Sequence, residues 1–130
     1  MSNAKLLSAA LVVFGATFCL LIPLAMVWPS GWAWHEGAPA ASPYFPMIAG
    51  FYATLGVFLI RAAKDPAGNA SLIWFTIVSS VVHAAIMAFQ AMQDPHMAGH
   101  LVGDVPALLI AAAVLGVLMV KSEPAAAVTT

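Results

Sequence analysis

The sequence predicts an all-α integral membrane protein, a four-helix bundle whose helices run antiparallel in an up-down-up-down order. Hydrophobic residues make up 63% of the 130 residues and charged residues only 7%, whereas soluble domains carry about 25% charged residues. The chain contains four apolar runs, and a helix needs roughly 20 such residues to cross a bilayer. Short polar segments separate the runs, and all four Lys and Arg residues lie beside their ends.

The first two spans are predicted at residues 6–28 and 45–63. We expect the first to be one unbroken helix that stays in the protein, because its apolar run is longer than the about 7–15 residues of a signal peptide. Pro43 and Pro46 bound the start of the second span, and proline is tolerated in the first turn of a helix.

The third and fourth spans are predicted at residues 71–92 and 105–120. A polar turn at 64–69 precedes the third span, and the sequence Gln-Asp-Pro at 93–95 ends it. The fourth span is entered through Gly103 and Asp104 and closed by Lys121. We therefore predict a single membrane domain over 1–121, followed by a mobile cytoplasmic tail over 122–130.

The positive charges predict the orientation of the bundle. Lys5 precedes the first span, Arg61 and Lys64 follow the second, and Lys121 follows the fourth. Positive residues in short loops favour the cytoplasmic side, so both termini of this multi-pass protein are predicted to be cytoplasmic. The opposite face then collects most of the titratable side chains, namely His35, Glu36, Asp94, His96, His100 and Asp104.

Charge, cysteine content and small residues indicate which classes of binding partner to expect. The net charge of −1 gives no indication of nucleic-acid binding, and the single Cys19 cannot form an intrachain disulfide. Small residues allow membrane helices to approach closely, and Gly50 with Thr54 has this spacing on the second span. The expected partners are the lipid bilayer and other membrane subunits or a second copy of the chain.

Two histidines and an aspartate between the third and fourth spans form the first candidate site. On an α-helix, His96 and His100 would share one face, and Asp104 would follow one turn later. Two imidazoles and a carboxylate suit a transition metal such as zinc, copper or iron, and His35 with Glu36 could complete the set. Alternatively, Asp94 and Asp104 serve only as helix N-caps, and the histidines are solvated interface residues.

His83, near the middle of the third span, is the second candidate. Ionisable residues at that depth usually face the interior of a bundle or a cavity. Tyr52 lies at comparable depth on the second span, and Gln90 lies two turns after His83. The three residues could form a pocket for a quinone or lipid, or His83 could relay protons or bind a tetrapyrrole. A purely structural hydrogen bond between helices is the alternative.

Three segments resemble the small four-helix bacterial membrane proteins of the DoxX-like group. They are YATLGVFLIRAAKDP at 52–66, SLIWFTIVSSVVHAAIMAFQAMQDP at 71–95 and HMAGHLVGDVPALLI at 96–110. The resemblance covers about residues 45–120 and implies a four-helix bundle in the inner membrane. It also implies an association with quinone-linked oxidoreductases, with His83 and Tyr52 as candidates for a quinone or lipid pocket.

Three functions are compatible with these patterns. The first is a non-catalytic accessory or assembly subunit of an inner-membrane complex, which could be a redox complex. The second is a cofactor-binding membrane protein that uses His83 or the set His96, His100 and Asp104. The third is a small transporter, which is disfavoured because the sequence predicts neither the broken helices nor the inverted repeats typical of transporters.

Overall fold

The computed structural model describes residues 2–32 and 42–122, and these residues form helices joined by short turns. The α-helices are α1 (Asn3–Cys19), α2 (Leu21–Val27), α3 (Pro29–Trp32), α4 (Tyr44–Ala62), α5 (Ala70–Gln93) and α6 (Asp104–Ser122). Two 3₁₀ helices, Ala67–Asn69 and Pro95–Leu101, precede α5 and α6 respectively. No strand occurs within the described ranges, so the protein is all-helical there.

Local capping explains where several helices begin. The Ser2 hydroxyl accepts a hydrogen bond from the Lys5 amide at the start of α1. Asp65 accepts the Gly68 amide in the turn before α5. The Asp94 carboxylate accepts the His96 amide at 2.9 Å and so starts the longer 3₁₀ helix, as expected for an aspartate followed by proline.

The first predicted span is not one straight helix. α1 and α2 meet at Leu20 with a bend of 63°. Pro23 has no amide hydrogen to donate to the carbonyl of Cys19, and its ring crowds that carbonyl, so the helix cannot continue through this turn. The expectation of an unbroken helix over 6–28 was therefore wrong.

Three helices, spanning 44–62, 67–93 and 95–122, are long and apolar enough to cross a membrane, or up to four if the bent pair α1–α2 counts as one span. α4 and α5 lie close to the predicted 45–63 and 71–92, and α6 extends the predicted 105–120 by a residue or two at each end. Residues 123–130, most of the predicted mobile tail, lie outside the described residues. Large apolar side chains remain exposed on every long helix, such as Val13, Phe58, Phe89 and Ile110.

Helix packing follows a simple order: α4 packs on α1, α1 packs on α6, and α6 packs on α5. α4 and α5 are consecutive in the chain but share little backbone contact. At the α1–α4 contact, a Cβ on Gly15 would lie 2.7 Å from the Gly56 carbonyl oxygen. Only glycine therefore allows this close approach. By contrast, a Cβ on Gly50 would meet nothing within 4 Å, so the predicted Gly50–Thr54 contact surface does not form between the described helices.

Candidate functional site

A cavity of about 310 Å³ lies where α1, α4, α5 and α6 meet the end of α3. Its walls are mostly apolar, and its polar lining comes mainly from Tyr52, His83, His100 and Asp104. The remaining lining residues are Phe14, Thr17, Phe18, Leu21, Trp32, Phe45, Ile48, Met87, Ala107, Leu108, Ile110 and Ala111. Small-molecule sites commonly have this character, an apolar cleft of about 300–1,000 Å³ with a few polar groups.

Tyr52 and His83 form the first polar pair in the cavity. The Tyr52 hydroxyl and His83 Nδ1 are 2.7 Å apart. Phe18 packs edge-on against the Tyr52 ring, with 5.0 Å between the ring centroids. This pair joins α4 to α5, whose backbones share little contact.

His100 and Asp104 form the second polar pair. His100 Nδ1 lies 3.0 and 3.1 Å from the two Asp104 carboxylate oxygens. His100 is 1% exposed, and Asp104 is the first residue of α6, where the helix dipole stabilises a negative charge. Both residues line the same cavity as His83. The cavity thus contains two histidines that are each fixed by a protein partner.

One end of the cavity is bounded by α3 and the 3₁₀ helix Pro95–Leu101, which contact each other through their backbones. A Cβ on Gly99 would collide with the Ser30 carbonyl, and one on Gly103 with the Gly31 carbonyl. The glycines therefore let α3 lie directly on the segment that carries His100. Trp32 at the end of α3 lines the cavity.

The structure brings together part of each predicted site. Tyr52 and His83 are hydrogen-bonded, as the sequence suggested, but Gln90 does not line the cavity. The Gln90 side-chain oxygen is buried and has no hydrogen-bond partner among the described residues.

The predicted metal set is not assembled as expected. His100 contacts Asp104, but His96 is exposed. The reason is that residues 95–101 form a 3₁₀ helix, in which positions i and i+4 point about 120° apart at three residues per turn. Within the described ranges, no group of three or more His, Cys, Asp or Glu side chains could hold a metal ion. His35 and Glu36 lie outside the described residues.

Sequence reasoning missed that the two candidate sites contribute to one cavity. It treated His100 and Asp104 as a site separate from His83, whereas all three line the same cavity. It also overlooked the aromatic lining by Phe14, Phe18 and Phe45. The positions 14, 18 and 21 on the first span follow helical spacing and could have indicated an apolar wall, but this spacing does not distinguish a wall from a packed core.

Comparison with known families gives one match. The model of a family of unknown function, DUF6632, matches residues 1–128. Comparisons with curated proteins and with solved structures find no match. Because the family model covers nearly the whole sequence, the chain belongs to the DUF6632 family.

Proposed function

We propose that the protein is a four-span bundle of the bacterial inner membrane, antiparallel, with both termini in the cytoplasm. The bent pair α1–α2 would serve as the first span. The exposed apolar side chains on the long helices support a lipid environment, because a water-facing surface would be mostly polar or charged there. The positions of Lys5, Arg61, Lys64 and Lys121 support the orientation.

Within this bundle, we propose that the protein binds an apolar ligand with a polar head group, a quinone or a lipid. The observation that carries the proposal is a cavity of about 310 Å³ that combines apolar walls with two fixed histidines. Apolar walls would hold the body of the ligand, and the Tyr52–His83 and His100–Asp104 pairs would bind its polar atoms. The role is binding, and no reaction is proposed.

We further propose that the protein binds this ligand as an accessory subunit of a larger membrane complex. The resemblance to the DoxX-like group suggests a partner in a redox complex, and a subunit of that kind could hold a quinone for its partner. A transition metal at His96, His100 and Asp104 is a weaker proposal, because only His100 and Asp104 approach each other.

The test is to purify the protein in mild detergent, extract it with organic solvent and quantify the retained small molecules by mass spectrometry. Tyr52→Phe removes the hydroxyl that fixes His83, and Tyr44→Phe is its matched control because Tyr44 is 71% exposed. We expect the unaltered protein and Tyr44→Phe to retain the same amphiphile. Tyr52→Phe should retain about tenfold less, because a His83 ring that is no longer fixed loses its hydrogen bond to the ligand, which contributes about 1.4 kcal/mol.

The outcomes separate the candidate roles. An amphiphile that is retained equally by both tyrosine variants would contradict binding in the cavity and indicate lipid bound to the outer surface. A protein that carries no amphiphile but co-purifies with larger membrane proteins would favour the accessory role without a ligand.

A further inference from the structure

The two histidines in the cavity use the same ring atom for their protein partners. His83 contacts the Tyr52 hydroxyl through Nδ1, and His100 contacts the Asp104 carboxylate through Nδ1. Among the described residues, neither Nε2 atom takes part in a hydrogen bond. The Nε2 atom of each histidine can therefore bind a partner outside the described residues. Both histidine side chains line the same cavity.

The partners also restrict the protonation of each ring. A carboxylate only accepts hydrogen bonds, so Nδ1 of His100 carries the hydrogen that it donates to Asp104. We assign the Tyr52 hydroxyl as the donor to His83 Nδ1, because a phenol is a stronger donor than a neutral imidazole. His83 then carries its hydrogen on Nε2 and offers a donor to the ligand. A hydroxyl group on the ligand could pair with Nε2 of His100 whether that atom accepts or donates.

The volume of the cavity limits the size of the bound group. An apolar cavity of about 150 Å³ is sufficient to hold one benzene ring. The cavity of about 310 Å³ therefore has room for roughly two fused rings. The cavity has no room for a long hydrocarbon tail in addition to these rings. Such a tail must extend past exposed lining residues such as Ile48 and Ile110 into the lipid.

We infer that the cavity binds a compact head group, about two rings in size, through two separate oxygen atoms. A carbonyl oxygen would accept from Nε2 of His83, and a hydroxyl would pair with Nε2 of His100. This inference rests on the proposed function and specifies the chemical class of its ligand. A ligand with one oxygen would satisfy only one histidine, and a plain hydrocarbon would satisfy neither.

The test is a calorimetric titration of the detergent-solubilised protein with tailless two-ring probes. 1-Tetralone carries one carbonyl, and hydroxy-1-tetralones with the hydroxyl at carbon 4, 5, 6 or 7 carry a second oxygen at different distances. We expect at least one isomer to bind about tenfold more tightly than 1-tetralone, because a satisfied second hydrogen bond adds about that factor. If no isomer binds more tightly than 1-tetralone, the two-oxygen inference is wrong.

Histidine variants assign the second oxygen. In His100→Leu, the preferred hydroxy isomer should bind no more tightly than 1-tetralone, whereas the control His96→Leu should keep the tenfold preference. A preference that survives His100→Leu would overturn the inference. The measurement on the unaltered protein remains decisive if His100→Leu does not fold.

Failure of the inference differs from failure of the proposed function. If 1-tetralone binds and the second oxygen adds nothing, the cavity is a ligand site of another class. If no probe binds and the purified protein also carries no amphiphile, both the inference and the proposed function fail.

Discussion

The chemistry of the cavity depends on four side chains that act as two pairs. Tyr52 holds His83 across the gap between α4 and α5, and Asp104 holds His100 beside them. Each partner fixes one ring nitrogen and so orients the other. Fixed polar groups lose less conformational entropy when a ligand binds, which explains why such pairs suit recognition better than free histidines would.

The His100–Asp104 pair should contribute to stability as well as to binding. His100→Leu leaves the Asp104 carboxylate, which is largely shielded from solvent, without its partner. We expect the free energy of unfolding to fall by about 1–3 kcal/mol. Among the described residues, the exposed His96 side chain has no such partner, so His96→Leu should change the free energy of unfolding by less than about 0.5 kcal/mol. Denaturation of both variants in the same detergent measures the difference, and equal losses would contradict the role of the pair.

The sequence predicted the Tyr52–His83 contact because both residues lie at comparable positions along two well-defined apolar runs. It misplaced His96 because the spacing argument assumed an α-helix. Asp94 and Pro95 start a 3₁₀ helix instead, and its three residues per turn separate His96 from His100. Short linking segments have no long periodic pattern, so the sequence alone did not reveal this helix type.

Two features of the first span position the elements around the cavity. Pro23 breaks the span at Leu20, and Phe14, Phe18 and Leu21 on either side of the break line the cavity. Gly15 allows α1 to approach α4 closely. Together these features hold α1 against α4 on one side of the break and redirect the chain beside the cavity on the other.

The close contact between α1 and α4 makes Gly56 sensitive to any side chain. A Cβ on Gly56 would collide with the Gly15 carbonyl and lie 2.8 Å from Cys19 Sγ. We expect Gly56→Ala to destabilise the protein by about 1–3 kcal/mol, as overpacking does in tight interiors. Gly50→Ala is the matched control, because open space surrounds a Cβ there.

Thermal unfolding in detergent compares the two alanine variants. Gly50→Ala should unfold at the same temperature as the unaltered protein or slightly above it, since alanine favours helix. If Gly50→Ala is the more damaging change, the described α1–α4 contact is wrong.

Gly99 tests the contact that bounds one end of the cavity. Gly99→Ala would push the 3₁₀ helix away from Ser30 in α3, and the change would displace His100 on the same helix. We expect the variant to retain several-fold less ligand after purification. Gly116→Ala is the control, because a Cβ there meets only Ile77, at 3.9 Å. Similar retention by both variants would show that α3 does not support the site.

At the level of elements, the sequence predicted the three long helices α4, α5 and α6 to within about two residues, because their apolar runs end at charged or turn-forming residues. It did not predict the break at Leu20, since proline within a membrane span can produce anything from a slight kink to a full break. It also selected Gly50 rather than Gly56 as a contact, because small residues show where helices can approach but not which face meets a neighbour.

The positive charges of the whole molecule predict its orientation in the membrane. The four positive residues should lie on the cytoplasmic side, and the cavity, with His100 and Asp104, nearer the opposite face. A green fluorescent protein fused to the C-terminus should therefore fluoresce, and an alkaline phosphatase fused there should be inactive. The reverse pattern would place the C-terminus outside and contradict the charge argument.

The sequence predicted an all-helical protein because apolar runs of about 20 residues are typical of membrane-spanning helices. It could not predict that residues 52, 83, 100 and 104 share one cavity. That arrangement depends on which helices become neighbours, and on the contact between α3 and the 3₁₀ helix, neither of which follows from hydrophobic periodicity.

Native mass spectrometry of the unaltered protein, released from detergent micelles, would show directly whether the cavity holds a ligand. We expect the 13.5 kDa chain together with a species heavier by one amphiphilic ligand per chain. Stepwise activation should remove that ligand and leave the bare chain. A preparation that shows only the bare chain under the gentlest release, or a broad series of bound lipids with no preferred stoichiometry, would contradict a ligand site in the cavity.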